Sequence, residues 1–344
     1  MRISKTLFTA FFLLFSITPA SAVEIPAVFN FQGTGYGHGV GLSQIGARGK
    51  ALAGESAQSI LNYYYSGTQI LPLADNQNVR VNIGHLLTQA SIKSGTKESI
   101  LNVYTGDVGE SLTAVPAASL TWKSAISFVQ LGTSISAFIV TGKNSQLLGT
   151  NSVWSVRWSG TRYLDGAAST VSLRVNSKSV KYRYGQIQIK SVKAPIIGHR
   201  MEVTNTVRIH DEYLYGISEV PSSWPTQALI AQAIASRSYV LSKLGVPRVA
   251  CDCNVYNSIS DQSFVGFSKE IEPIYGKLWK EAVQASSTSE TTGQVITVNG
   301  SPITAYFSSS SGGQTETSVN AWGQERSFTT SVADPYSQDP ILNP

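Results

Sequence analysis

The chain has 344 residues, with 26 Lys and Arg against 21 Asp and Glu and a formal net charge of +5. The excess is small and its basic residues are scattered rather than clustered, which argues against a nucleic-acid partner and is compatible with an anionic polymer. The length suffices for one large domain or two ordinary ones.

Arg2 and Lys5, the apolar run Leu7 to Ile17 and then Pro19-Ala20-Ser21-Ala22 have the three-part layout of a secretory signal peptide with a small-residue cleavage site. Cleavage is expected after Ala22, which lowers the charge to +3. The alternative is a membrane anchor, but the run is short of the ~20 residues a spanning helix needs. No later stretch is long and apolar enough to span, so the mature protein is expected to be secreted, extracytoplasmic and soluble.

Residues 23–75 form a segment rich in Gly and Tyr. Gly33, Gly35, Gly37, Gly39 and Gly41 alternate with Thr34, Tyr36, His38 and Val40. Ser43 to Ala53 and Ser56 to Tyr65 read as short helices, with Ser56 as N-cap and Gly67 as stop. The glycines resemble a phosphate-cradling loop only superficially, since no Lys or Ser/Thr follows at the required spacing.

Residues 76–195 alternate apolar with Ser, Thr and Asn in runs such as Val79-Arg-Val-Asn-Ile83, Ile135-Ser-Ala-Phe-Ile-Val140 and Val171-Ser-Leu-Arg-Val175, the pattern of half-buried strands. Residues 196–344 open with a strand, Val203 to His210, and then change period. Pro225 is placed to start a helix and Gly245 with Pro247 to stop it. Ile230, Ala233, Ile234, Arg237, Leu241 and Leu244 fall on one face of it. Beyond lie a helix near Tyr275 to Ala285, strands Gly293 to Val298 and Thr304 to Phe307, and a Ser/Gly-rich turn. The expected class is α+β with a strand-rich majority.

Arg237 sits on an otherwise apolar helix face, where a guanidinium must find a carboxylate or a ring of carbonyls. Glu219, one short turn before the same helix, is the natural candidate for that partner. Held in a Pro-flanked turn beside Trp224, in partly apolar surroundings, its carboxyl should have a raised pKa and the properties of a general acid. A buried structural ion pair is the other reading of the same spacing. Cys251 and Cys253, two apart, could form a tight disulfide, remain as thiols or hold a metal, although no His lies near either.

The run from Asp211 to Tyr239, Asp-Glu-Tyr-Leu-Tyr-Gly-Ile-Ser-Glu-Val-Pro-Ser-Ser-Trp-Pro-Thr-Gln-Ala-Leu-Ile-Ala-Gln-Ala-Ile-Ala-Ser-Arg-Ser-Tyr, closely resembles the signature of the stage II sporulation protein D family, also described as the amidase-enhancer domain. The resemblance implies that Glu219 is the catalytic acid of a lytic transglycosylase acting on peptidoglycan, with Arg237 in the site. Tyr306 to Thr315, Val319 to Gly323 and Val332 to Tyr336 look like the family's downstream block. There Ser309, Ser310, Ser311, Gly312 and Gly313 would offer hydroxyls and close backbone N–H groups to a sugar chain, the alternative being an ordinary hairpin turn.

Gly35 to Ala47 also looks like a family motif, carried by many members after the Ser/Gly block. Its position here implies that it packs beside the site from the other end of the chain, with His38, Ser43 and Gln44 as substrate-binding candidates beside Trp224 and Gln262. Two departures stand out. Some members bind zinc through a Cys and a His near the loop Cys251 to Gly266, but this chain has Asn254, Tyr256 and no His there, so no cofactor is expected. Where the family often has Gln-Val-Tyr-Gly, this chain has Gln262-Ser-Phe-Val-Gly266, which puts Phe264 in the place of a phenol.

The resemblance therefore implies an exported, cell-wall-associated protein with glycan strands as partner. It would cleave between N-acetylmuramic acid and N-acetylglucosamine to leave 1,6-anhydro ends, with Glu219 as acid and base. A second reading is a non-catalytic enhancer that binds glycan and a cell-wall amidase. A third is a hydrolase, which needs a second carboxylate such as Asp211, Asp252 or Asp261 near Glu219.

Overall fold

A computed structural model describes residues 28–30 and 33–343; the leader, residues 1–22, lies outside them. From Thr34 onward the chain makes one compact unit. Its α+β content matches the class expected from the alternating runs.

Two sheets share the larger hydrophobic core. One has seven strands in the spatial order Val255–Tyr256, Asn78–Leu87, Gly198–Arg208, Gln186–Ala194, Val153–Trp158, Ile100–Thr105 and Ala118–Thr121. Only the first of these pairs is parallel. The other has six antiparallel strands, in the order Lys178–Tyr182, Val171–Val175, Gln89–Ser94, Ser124–Leu131, Ser134–Thr141 and Asn144–Asn151. Alternation sends Val79, Val81, Val156 and Val203 of the first sheet and Ile92, Ile126 and Leu173 of the second into one core, where Phe128 and Trp154 meet with ring centroids 6.3 Å apart.

A smaller core gathers Leu42, Ile60, Leu61, Tyr64, Tyr65, Ile296 and Ala305. It is built by helices α1 (Gln44–Leu52) and α2 (Ala57–Tyr64), capped by the side chains of Ser43 and Ser56, and by the three-stranded sheet Gln69–Ala74, Thr292–Val298 and Ser301–Pro302. Helix α3 (Thr226–Ser242) runs between the two cores, with Leu229, Ala233 and Val240 in the larger and Ala231, Ile234 and Ala235 in the smaller. Burial on all sides explains why its apolar residues exceed the single face read from the sequence. Helix α4 (Gly276–Ala285) packs beside it, and α5 (Ser318–Trp322) lies beyond the Ser/Gly turn. The strand expected at Thr304 to Phe307 is shorter and later, Phe307–Ser308. Among the described residues no helix is long and apolar enough to cross a membrane.

The alternating glycines have a steric cause. Tyr36 bridges Ser310, and Leu42–Ser43 pairs in parallel with Phe307–Ser308, so the segment is laid against the Ser/Gly block. A Cβ at Gly35 would stand 3.2 Å from the Ser310 carbonyl oxygen, one at Gly37 2.8 Å from Ser308 Cβ, and one at Gly41 2.2 Å from the Tyr306 carbonyl oxygen. At Gly35, Gly37 and Gly41 the segment therefore has no room for a side chain, while Tyr36 is exposed and the His38 ring stands beside Tyr306 and Trp322.

Two substitutions separate strain from collision. Gly54→Ala places a side chain at φ +91° in open space and should cost about 1 kcal/mol. Gly41→Ala adds the clash with Tyr306 to a φ of +75° and should cost about 3 kcal/mol or more. Urea unfolding of the two variants side by side measures the difference, and equal losses would contradict the packing described for the segment.

Candidate functional site

Glu219 occupies a bend held from two sides. On one, Ser218 N–H donates to the Ser263 carbonyl at 2.8 Å and Val265 N–H to the Gly216 carbonyl at 2.8 Å, a short antiparallel ladder around the Ile217 to Phe264 bridge. Phe264 anchors that ladder: its ring stacks on Tyr213 at 5.4 Å and Tyr182 at 6.3 Å. Gly216 leaves it room, since a Cβ there would lie 2.4 Å from the ring. On the other side, the buried Lys269 ammonium donates to the Val220 carbonyl at 2.8 Å and pairs with Glu272 at 3.3 Å. Glu272 in turn accepts from Ser222 at 2.6 Å.

The carboxyl itself accepts from Ser263 N–H at 2.5 Å. Burial raises its pKa above the ordinary 4.5, and the Ser263 hydrogen bond opposes that only in part. Among the described residues no cation forms an ion pair with it. It opens on a cleft of about 660 Å³, walled by Pro221, Val265, Lys269 and Ile271. A carboxyl with these properties keeps its proton to higher pH than an exposed one and can deliver it to an oxygen seated in the cleft.

Arg237 is elsewhere, and the expectation that it orients Glu219 or reaches a sugar is corrected. Its side chain is fully buried. Nε donates to Asp75 Oδ2 at 2.7 Å, and the remaining donors meet the Ser286 carbonyl and hydroxyl, the Gln294 carbonyl and the Ser287 hydroxyl. The other oxygen of Asp75 accepts from His210 Nδ1 at 2.7 Å. Gly293 permits the arrangement, because a Cβ there would stand 2.5 Å from Arg237 Nε. Arg237 does form a buried structural ion pair, but with Asp75, 162 positions upstream, and not with Glu219, the partner that the spacing suggested.

The other expected residues separate in the same way. Trp224 is half-buried near the Glu219 bend, with the Arg48 guanidinium 5.6 Å from its ring centroid. Ser43 is a buried helix cap, and Gln44 is buried with its amide donating to Gln232 at 3.1 Å, so both hold α1 in place. Gln262 is fully buried and accepts from the Tyr213 hydroxyl at 2.7 Å, behind Ser263 rather than in the cleft. Ser310 is buried and accepts from Asn343; Ser311 donates to Asp334 at 2.7 Å. Gly312 lies against Thr34 and Gly313 against Gln338, so the Ser/Gly block is clasped between two other segments. Ser309 is half-buried, its carbonyl accepting from Ile45 N–H, and His38 is exposed beside the block.

Cys251 and Cys253 form a disulfide, so neither offers a thiolate to zinc, and among the described residues no group of three His, Cys, Asp or Glu is arranged to hold a metal. No motif or spacing marks Asp75, His210, Lys269 or the Ser263 N–H. Asp75 and His210 are isolated residues far from their partners, and a backbone donor has no side-chain signature.

Residues 198–298, which carry the Glu219 bend and the whole of α3, match the family model described as stage II sporulation protein. That segment is similar to the stage II sporulation protein family. Two relatives from Bacillus subtilis (strain 168) are similar to parts of it. One, named amidase enhancer, is 32% identical over 125 residues, covering 36% of this chain and 15% of that protein. The other, named stage II sporulation protein D, is 27% identical over 135 residues, covering 37% of this chain and 39% of its own length. The matched stretches thus span well under half of either relative. No solved structure matches the chain.

The ion pair that ties α3 to Asp75 is testable apart from any activity. Arg237→Met leaves the Asp75 carboxylate buried without its main partner and should destabilise the protein by about 3–5 kcal/mol, whereas the double variant Asp75→Leu/Arg237→Met should recover most of that loss. Chemical unfolding of the three proteins decides. A single-variant cost below about 1 kcal/mol would mean that the pair does not constrain the fold.

Proposed function

We propose that the protein is an exported cell-wall lytic transglycosylase acting on peptidoglycan glycan strands, with Glu219 as its acid and base. The observation that carries the reading is the carboxyl of Glu219, protonation-prone through burial and free of cationic partners, at the mouth of a cleft. The carboxylates that could have served a hydrolase are engaged in ion pairs: Asp211 with Arg208, Asp252 with Arg80 and Lys190, Asp261 with Arg248, and Glu272, which lines the same cleft, with Lys269. Glu219 stands apart from these four in having no ion-pair partner among the described residues.

In the proposed reaction Glu219 donates its proton to the glycosidic oxygen as the bond to C1 of N-acetylmuramic acid breaks, and the N-acetylglucosamine side leaves with a free 4-hydroxyl. The resulting carboxylate then takes the proton of the C6 hydroxyl as that oxygen bonds to C1. Glu219 is regenerated in its acid form, a 1,6-anhydro end is left, and no water is consumed. Ser263 N–H and Lys269 act by fixing the bend and hence the carboxyl. The Arg237, Asp75 and His210 cluster holds α3, from which the bend departs. The leader up to Ala22 supports export, and a wall-associated location follows from it and from the family.

A second reading, a glycan-binding enhancer of a cell-wall amidase, is favoured by the printed name of the 32% identical relative. Incubating the mature protein and Glu219→Gln with intact and amidase-stripped peptidoglycan, and reading soluble products by mass spectrometry, separates the two. The parent should release anhydro-muramic products, and the variant should be slower by about 10²–10⁴-fold. Glycan binding with no products from either protein would place the enhancer reading first.

The raised pKa has two further consequences with a definite sign. The acid must be protonated, so the cleavage rate should fall as pH rises through the Glu219 pKa. The folded state also binds this proton more tightly than the unfolded chain, so ionising Glu219 destabilises the fold over the interval from the unfolded value near 4.5 up to the folded one. Glu219→Gln should therefore melt above the parent at neutral pH, by on the order of a few °C, and the gap should close below about pH 4.5. A gap that is constant with pH would show that Glu219 ionises as it does in the unfolded chain.

A further inference from the structure

Outside the cleft the surface holds a second group of side chains arranged to meet a ligand. The His38 ring stands edge-on to Trp322, centroids 5.1 Å apart, and to Tyr306 at 6.1 Å, while Tyr306 and Trp322 are 4.7 Å apart. Trp322 is 45% exposed at the end of α5, and Tyr36 beside this group is 79% exposed. The rings are firmly placed. The Tyr306 carbonyl accepts from both the Tyr65 hydroxyl at 2.7 Å and Leu42 N–H at 3.0 Å, and Glu316 N–H donates to the Gly39 carbonyl at 2.8 Å.

The chemistry of His38 is fixed by its own backbone. Val40 N–H donates to His38 Nδ1 at 3.0 Å, so that nitrogen carries no proton and the neutral ring keeps its hydrogen on Nε2. Partial burial of the ring lowers its pKa and favours the same neutral form. Polar groups flank the rings: the Glu316 carboxylate accepts from the Asn320 amide at 2.9 Å, and Glu316 lies against Gly39. Aromatic faces, one N–H donor and a planar carboxylate–amide pair are what a sugar presents partners for, through its apolar C–H face, an acetamido carbonyl and ring hydroxyls in turn.

We propose that His38, Tyr306 and Trp322 form a second saccharide contact, a shelf that stacks one pyranose ring of an N-acetylated glycan, with Glu316 and Asn320 meeting its hydroxyls. The choice of an acetamido sugar rests on the glycan reading of the Glu219 cleft; the shelf itself does not depend on catalysis.

Titration calorimetry of the mature chain with a β-1,4-linked N-acetylglucosamine tetramer tests it. Trp322→Ala should weaken binding about tenfold or more, and Trp322→Phe should stay within about threefold of the parent. Trp322 is half in solvent, so melting temperatures of both Trp322 variants should stay near the parent's. Equal affinity for Ala, Phe and parent, a loss that follows melting temperature instead of the ring, or a parent that ignores the tetramer would each overturn the shelf. A shelf that binds a peptide in place of the sugar would overturn it too. Cleavage assays are read separately: a parent that binds through Trp322 but releases no anhydro product leaves the shelf standing and removes only the catalytic reading.

Discussion

The buried pair of Asp75 and Arg237 is the constraint around which the rest is arranged. Taking two opposite charges out of water is tolerable only with short contacts and every remaining donor met, and both conditions are satisfied at the point where α3, α4 and the strand Thr292–Val298 converge. The pair ties the end of the small sheet to the middle of the helix that separates the two cores. The helix in turn fixes where the Trp224–Pro225 turn begins, and therefore where Glu219 stands. The guanidinium thus acts on the cleft through the backbone.

This arrangement keeps two electrostatic environments apart. Glu219 is buried, accepts from a single N–H donor and forms no ion pair, because the Lys269 ammonium in the same cleft is engaged by Glu272 and the Val220 carbonyl; burial then favours its protonated form. A cation paired with it would have favoured the carboxylate and removed the acid. Had Arg237 paired with Glu219, as their closeness in the sequence suggested, the two demands on the carboxyl would have been in conflict. Placing the counter-charge of Arg237 on Asp75 resolves that conflict, and the cost is borne outside the Glu219 cleft.

Much of the fold was legible because its signals are local. The runs at Val79, Ile135 and Val171 became strands, Ser43 and Ser56 became helix caps, and Pro225 opened α3 within a residue of its expected start. At the candidate site the burial of Glu219 was legible, from a rigid turn and a nearby aromatic. It was not legible at Ser43, Gln44 and Gln262, because a polar residue in a family motif looks the same whether it faces a ligand or saturates a buried neighbour. Nor could periodicity reveal the Ser/Gly block as a clasped interior seam, since the glycines that clasp it lie at the opposite end of the described chain.

That seam has a consequence for how the molecule comes into being. Leu42–Ser43 finds its partner only at Phe307–Ser308, so the closing contact spans most of the polypeptide and carries a loop entropy of about 5 kcal/mol when formed from an open chain. A chain that appears N-terminus first must keep Leu42 and the glycine strand unpaired until the last strands are available. Meanwhile the smaller core lacks Ile303 and Ala305. The larger core and its two sheets can assemble before that moment, but the smaller one cannot, so synthesis order imposes a late, single closing step on the half of the molecule that carries the aromatic surface.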